Sequence, residues 1–462
     1  HGGRRKIAWA ALLMASMVDY PQGGTRIAYS QTCAAAGVSE DFLRAMPKTD
    51  LHVHLDGSLR VSTLIELAAE AGVSLPSTSE AELRKTVFRP QYADLNEYLA
   101  GFMYTTAVMK TAAACERVAF EFAEDEFSEG VRYFEVRFAP QLLSSLDPKD
   151  DFSIRDVLLA VDRGLRKARD EFNASLKQAQ SATPPTRVGE PPYEYGIICS
   201  AMRLFFPGMS RFYDGLHAMH PDEPKEALSS MASVIMVQAA IKSRDLDGVP
   251  IVGVDIAGAE LDNEAMVHTK AFALAHENFL CKTVHAGEAF GPESIAQAVQ
   301  FLHAERIGHG FHLFSTEREH FSPAFNQQDD REEAAAAYVR QMVKWVGDKR
   351  ITMEVCLTSN LNTMPGLKLE DHAFRRMLDA KVSATLATDN RLVSNTTTVN
   401  EFAMAVSTFD MTLEQLRDVV CAGFKRSFYP GDYNERRAYV KQAMAYFDQL
   451  VATNLKPPAP AA

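Results

Sequence analysis

His52 and His54 lie two residues apart in TDLHVHLDGSL, residues 49–59. Alternate residues of a β-strand share one face, so both rings point the same way. Neutral imidazoles suit zinc and similar metals, but protein cores also hold satisfied histidines, and the pair alone leaves both readings open. Three further stretches bear on the choice. VHAGEAFGPESI (284–295) carries His285 and, three residues later, Glu288; a glutamate beside a metal is the group that moves protons in metal-assisted hydrolysis. RIGHG (306–310) sets His309 between two glycines, and LATDNRLVSNTT (386–397) places Asp389 and Asn390 after an apolar run. A strand-end aspartate is as often a turn former or helix cap. Four such clusters at four separate strand ends make a bound metal the better reading. His276, His303 and His312 lie in segments that read as helical or loop surface and take no role.

The elements that must position these residues are short apolar runs rich in β-branched and aromatic side chains: 50–55, 131–139, 195–202, 250–258, 282–287, 306–310, 351–357 and 382–387. Helical spacing fills the intervals; Leu64, Leu67, Ala68 and Ala71, for example, recur at i, i+3, i+4 and i+7. Eight strands alternating with helices predict a parallel α/β sheet closed as a TIM barrel with loop insertions. Chemistry in such barrels sits at the C-terminal ends of the strands, where every polar cluster above falls.

At 47% hydrophobic and 23% charged, the 462 residues have the composition of a globular chain rather than a disordered or membrane one. A net charge of −12 argues against a nucleic-acid surface and favours a small neutral or cationic ligand over a polyanion. No run outside the N-terminus approaches the roughly 20 apolar residues of a membrane span. The six cysteines are scattered without a C-x-x-C pair, which predicts reduced thiols and a cytoplasmic setting. The basic start and apolar run of RRKIAWAALLMASMV (4–18) would instead imply a periplasmic or secreted protein if it serves as a signal peptide. Residues 1–37 are therefore expected to be a signal or a disordered extension, 38–450 one catalytic barrel, and 451–462 a disordered tail. Proline-rich 180–195 and charged 316–333 read as loop insertions, the second a solvated excursion.

Taken in order, PKTDLHVHLDGSL, YFEVRFAPQL, GVDIAGAE, HAGE, RIGHG and TDN resemble the adenosine deaminases of the amidohydrolase superfamily, over roughly residues 38 to 450. The resemblance implies a (β/α)8 barrel with one zinc ion per chain, held by His52, His54, His285 and Asp389 with water completing the shell. It implies that Glu288 donates a proton to purine N1 and that His309 deprotonates or orients the water. Gly258 would meet purine N3 through its backbone, and Asp56 the ribose 5′-hydroxyl. Leu95, Tyr98, Leu99 and Phe102 would form an apolar helix closing over a purine nucleoside. The zinc deaminases with a Pro-Cys-x-x-Cys signature are excluded, because the chain has no C-x-x-C.

One departure stands out. Asn390 occupies the place of an aspartate that meets purine N7 in the best-known members. An asparagine amide always donates, whereas an aspartate donates only when protonated. The competing expectations are a deaminase of adenine or AMP, a catalytically inactive relative acting as a binding protein, and a two-metal barrel hydrolase. The last needs a bridging lysine, and no suitable strand end carries one. No oligomeric state is predicted.

Overall fold

The computed structural model describes residues 29–144 and 152–455. Its eight strands are β1 (Lys48–His54), β2 (Val131–Phe138), β3 (Glu194–Met202), β4 (Ile251–Ala257), β5 (Cys281–Ala286), β6 (Arg306–His309), β7 (Thr352–Val355) and β8 (Ala384–Leu386). All neighbouring pairs are parallel, in the order of the chain, as right-handed crossovers through helices produce. Each strand matches an apolar run of the sequence to within a few residues at either end. β-Branched and aromatic side chains suit a sheet buried on both faces, and β1, β2, β4 and β6 are buried along their whole length.

The ring closes where the chemistry lies. β8 is short, and the segment after it completes the barrel through a parallel bridge between Val53 and Asp389. His54 N–H donates to the Asp389 carbonyl (2.7 Å) and Asp389 N–H to the His52 carbonyl (2.8 Å). Opposite, β4 and β5 are paired only at Gly253–Cys281 and Val254–Lys282, leaving room beyond for side chains between their C-terminal ends.

Several boundaries differ from the sequence expectation. Residues 29–37 belong to the packed body. Cys33 and Ala36 are fully buried, Cys33 N–H donates to the Met411 carbonyl (2.8 Å), and Tyr29 Oη donates to Asp448 (2.7 Å). The last helix, Tyr433–Asn454, runs past residue 451, with Val451 buried. Residues 1–28 of the extension and 456–462 of the tail lie outside the described residues. The helix Ile154–Ser181 ends just inside the proline-rich segment, whose remainder loops to β3. The charged segment 316–333 is not wholly solvated: Phe321 is buried in a cluster with Ala335 and Val339, and a helix starts at Arg331. Phe325 packs against the same cluster, and the surrounding charged residues masked both anchors. In the helix Val61–Ala71, Leu64, Leu67 and Ala68 are buried, whereas Ala71 is exposed. Among the described residues, no helix is long and apolar enough to cross a membrane.

Candidate metal and catalytic centre

The ligand atoms of His52, His54, His285 and Asp389 lie within 4.8 Å of one another, and all four residues are buried. His54 Nε2 stands 3.2 Å from His285 Nε2, and Asp389 Oδ1 stands 3.5 Å from His52 Nε2 and 3.4 Å from His54 Nε2. His52 Nδ1–H donates to Glu354 Oε2 at 2.7 Å. That bond places the ring's lone pair on Nε2, which is buried without a hydrogen-bond partner. An orphaned imidazole lone pair among two further ring nitrogens and a carboxylate is what a divalent cation satisfies. Three histidines and one carboxylate therefore fit a zinc-type ion.

The backbone at this centre is unusual. His309 and Asp389 adopt φ of 63° and 64°, a left-handed conformation that costs non-glycine residues about 1 kcal/mol or more. Gly308 permits close packing beside it, because a Cβ there would fall 2.7 Å from the His52 ring. His309 Nε2 lies 3.6 Å from Glu288 Oε1 and 3.9 Å from Asp389 Oδ2.

Sequence reasoning assigned no role to the charged groups beneath the site, although each interrupts an apolar strand. Glu354 on β7 accepts from His52, from Arg137 Nη2 (2.9 Å), from Arg306 Nε (2.6 Å) and from Thr283 Oγ1 (2.9 Å). Asp255 on β4 stands 2.9 Å from His285 Nδ1 and accepts from Arg137 Nη1 at 3.0 Å. Burial alone would raise the Glu354 carboxyl, but Arg137 and Arg306 hold it well below the usual carboxylate range. Asp389 is likewise held low against its burial by the imidazoles of His52, His309 and His54 around it. Both remain anionic, one to orient a ring and the other to face the metal position.

Glu260 shapes the loop after β5. Its carboxylate accepts from the N–H groups of Gly287 (2.7 Å), Glu288 (3.0 Å), Ala289 (2.7 Å) and Phe290 (3.0 Å), and from Ser294 Oγ (2.5 Å). This cradle fixes Glu288 in place. Burial, followed by the nearby charges of Asp389 and Glu260, pushes the Glu288 carboxyl well above its ordinary value. Glu288 is thus arranged to hold a proton where an ordinary glutamate would not. His312, expected on a loop surface, is buried beside this loop and donates its N–H to the Gly287 carbonyl (2.8 Å).

The remaining predicted residues lie on segments that follow β1, β4 and β8. Asp56 is buried, burial pushes its carboxyl up to about 7, and its Oδ1 has no partner. Gly258 adopts φ +97° directly after β4. The expected closing helix is two short ones, Leu95–Leu99 and Phe102–Val108. Phe102 meets the His54 ring edge-on at 6.5 Å, and Leu95 and Leu99 are half-buried. Tyr98 is buried, and its hydroxyl pairs with Ser394 Oγ (2.7 Å) and accepts from Asn390 Nδ2 (2.7 Å). Asn390 Nδ2 also donates to Asp389 Oδ1 (2.8 Å). Both amide hydrogens are therefore already in use, which the residue type alone did not reveal. Gly57 accommodates the amide oxygen, since a Cβ there would meet it at 1.9 Å.

A buried His3Asp set at the C-terminal ends of a parallel barrel, beside a buried glutamate, defines a metal-dependent hydrolytic centre. Residues 47–184 and 226–442 match the adenosine deaminase family, and the chain belongs to that family. Adenosine deaminase 1 of Streptomyces coelicolor is 33% identical over 410 residues, 88% of each chain. Adenosine deaminase of Mycobacteroides abscessus is 32% identical over 397 residues, covering 85% of this chain and 93% of the relative. Among solved structures, an amidohydrolase from Burkholderia ambifaria with bound Zn superposes with a TM-score of 0.67 at 18% identity, over 93% of this chain and 99% of its own. Adenine deaminase from Arthrobacter aurescens superposes with a TM-score of 0.63 at 18% identity, over 87% and 100%. At these identities the two structures share the fold.

Proposed function

We propose that the chain hydrolyses adenosine and 2′-deoxyadenosine to the corresponding inosines and ammonia, using one zinc ion held by His52, His54, His285 and Asp389. The observation that carries this reading is the juxtaposition of the buried His3Asp set with Glu288, whose carboxyl is buried beside it and pushed up by that burial. The family's curated members named adenosine deaminase support the substrate. When bound, zinc lowers the pKa of water from about 15.7 to about 7 and so makes a nucleophile available at neutral pH. The chain's own groups do the rest. Glu288 passes its proton to purine N1, so that the ring accepts electron density as C6 is attacked. His309 faces the same space and orients the attacking oxygen. The resulting Glu288 carboxylate relays the proton of the new C6 hydroxyl to the departing amine, C6 becomes a carbonyl as ammonia leaves, and Glu288 regains a proton from solvent. Phe102, Leu95 and Leu99 cover the site and exclude water, which strengthens each polar contact.

Asp56 reads the sugar in this scheme. Its buried, unpartnered Oδ1 suits the 5′-hydroxyl of a nucleoside, and wherever Asp56 is ionised it would repel a 5′-phosphate. Gly258, with its backbone at the mouth, takes purine N3. Six unpaired cysteines, five of them buried, support a reducing compartment such as the cytoplasm.

Adenosine added to the zinc-loaded protein is expected to lose its ultraviolet absorbance with release of ammonia. Prior treatment with a chelator should abolish the change, and added zinc should restore it. Adenosine, adenine and AMP compared side by side decide the substrate; faster turnover of adenine would overturn the assignment of Asp56.

Asn390→Asp offers a second check. An aspartate must be protonated to keep the donations now made to Tyr98 and Asp389, and it would stand beside the anionic Asp389. The variant should retain measurable activity, with kcat/KM falling as pH rises through the new group's pKa. A profile identical to the native one would count against a donor role.

A further inference from the structure

We propose that Asn360 and His372 are positioning residues that hold His309 in its Nε2–H tautomer, so that the ring turns a hydrogen, rather than a lone pair, toward Glu288 and Asp389. The proposal deepens the functional reading above and rests on His309 belonging to the deaminating site.

A group that can only donate starts the chain. The backbone N–H of Phe374 lies 3.0 Å from His372 Nδ1, so that nitrogen carries the lone pair. His372 is 2% exposed, and burial pushes its pKa down to about 3. The ring is therefore neutral, with its single hydrogen on Nε2. That Nε2–H donates to Asn360 Oδ1 at 3.1 Å, which fixes the orientation of an amide that is itself fully buried. Asn360 Nδ2 is thereby turned toward His309 Nδ1 at 3.4 Å. An amide nitrogen only donates, so His309 Nδ1 must accept, and a neutral His309 then bears its hydrogen on Nε2.

His309 Nε2 faces Glu288 Oε1 and Asp389 Oδ2 at 3.6 and 3.9 Å. With a hydrogen there, His309 orients an attacking oxygen by donating to it and does not take up that oxygen's proton. Proton transfer is left to Glu288. The opposite tautomer would present a lone pair to the Asp389 carboxylate. A backbone amide, a histidine and an asparagine thus transmit one polarity to the site.

The test combines spectroscopy with kinetics. Full-length protein labelled with 15N-histidine, metal-free and zinc-loaded, gives long-range 1H–15N patterns that distinguish the tautomers; His309→Gln identifies the His309 signals. The expected pattern is an Nε2-protonated His309, and a hydrogen on Nδ1 would overturn the proposal. Asn360→Asp preserves the shape but only accepts, so it should move the His309 hydrogen to Nδ1. Turnover should then fall about 100-fold in kcat, with zinc content and KM nearly unchanged. At the far end, His372→Gln keeps an N–H for Asn360 and should retain the native pattern and kcat. His372→Leu removes it and should give mixed tautomers with about tenfold lower kcat. An unaltered His309 spectrum in both His372→Leu and Asn360→Asp would overturn the proposal. Failure of the wild-type, zinc-loaded protein to deaminate adenosine would overturn the functional reading instead, and the spectrum would still decide the tautomer.

Discussion

Replacing Glu288 with glutamine is expected to lower kcat on adenosine by about 10²–10⁴-fold, while zinc content and KM stay close to native. Glutamine matches the shape and hydrogen-bonding reach of a protonated glutamate, so the pocket and the Glu260 cradle have no reason to rearrange. Glutamine has no proton to transfer, and the loss falls on the chemical step. The same argument sets the direction of the native pH profile. Burial and the charges of Asp389 and Glu260 raise the Glu288 pKa, and the protonated form is the competent one. Activity should therefore persist above the ordinary glutamate range and decline as pH rises through the elevated value. Steady-state kinetics with metal analysis check both points. A glutamine variant within tenfold of native turnover would remove Glu288 from the proton path.

The second large effect is expected at Glu354, which touches no substrate. Its carboxylate balances Arg137 and Arg306 and holds the Nδ1–H of His52. Removing one member of a buried ionic network strands the others without compensation, at a cost of about 3–5 kcal/mol. Freeing His52 to rotate or change tautomer should weaken zinc binding by about 10–100-fold. Glu354→Ala should therefore lower both the urea midpoint of the metal-free protein and its affinity for zinc in a competition titration. Glu354→Gln, which can still accept from one arginine, should fall between. The sign of the pH dependence follows from the depressed carboxyl. Its stabilisation is complete above the unfolded glutamate pKa and is lost only as acid approaches the lower folded value. Native-like stability and zinc affinity in Glu354→Ala would show that the network merely fills space.

The strands were legible because each is an apolar run with its own flanking turns, a property of ten or fewer adjacent residues. Even β8, three residues long, lies within the run 382–387. The ligand types were equally legible, since His-x-His on one strand shares a face whatever the rest of the chain does. Asp255, Arg137 and Glu354 were also visible as charges inside apolar runs. Their partners were not, because the His52–Glu354 bond spans 302 residues and exists only once the barrel has closed. The boundary at residue 37 was misplaced for a similar reason: Cys33 and Tyr29 are anchored by residues near 411 and 448, contacts that local composition cannot announce.

By itself, the order of residues determined the eight-strand barrel, the His52, His54, His285 and Asp389 donors and the glutamate beside them, since period and residue chemistry are local. Tertiary structure alone decided which lone pairs face the metal position, that burial raises the Glu288 carboxyl, and that both hydrogens of Asn390 are already in use. Protonation, tautomer and charge depend on burial and on groups hundreds of residues away, and these come together only when β1 meets the segment after β8.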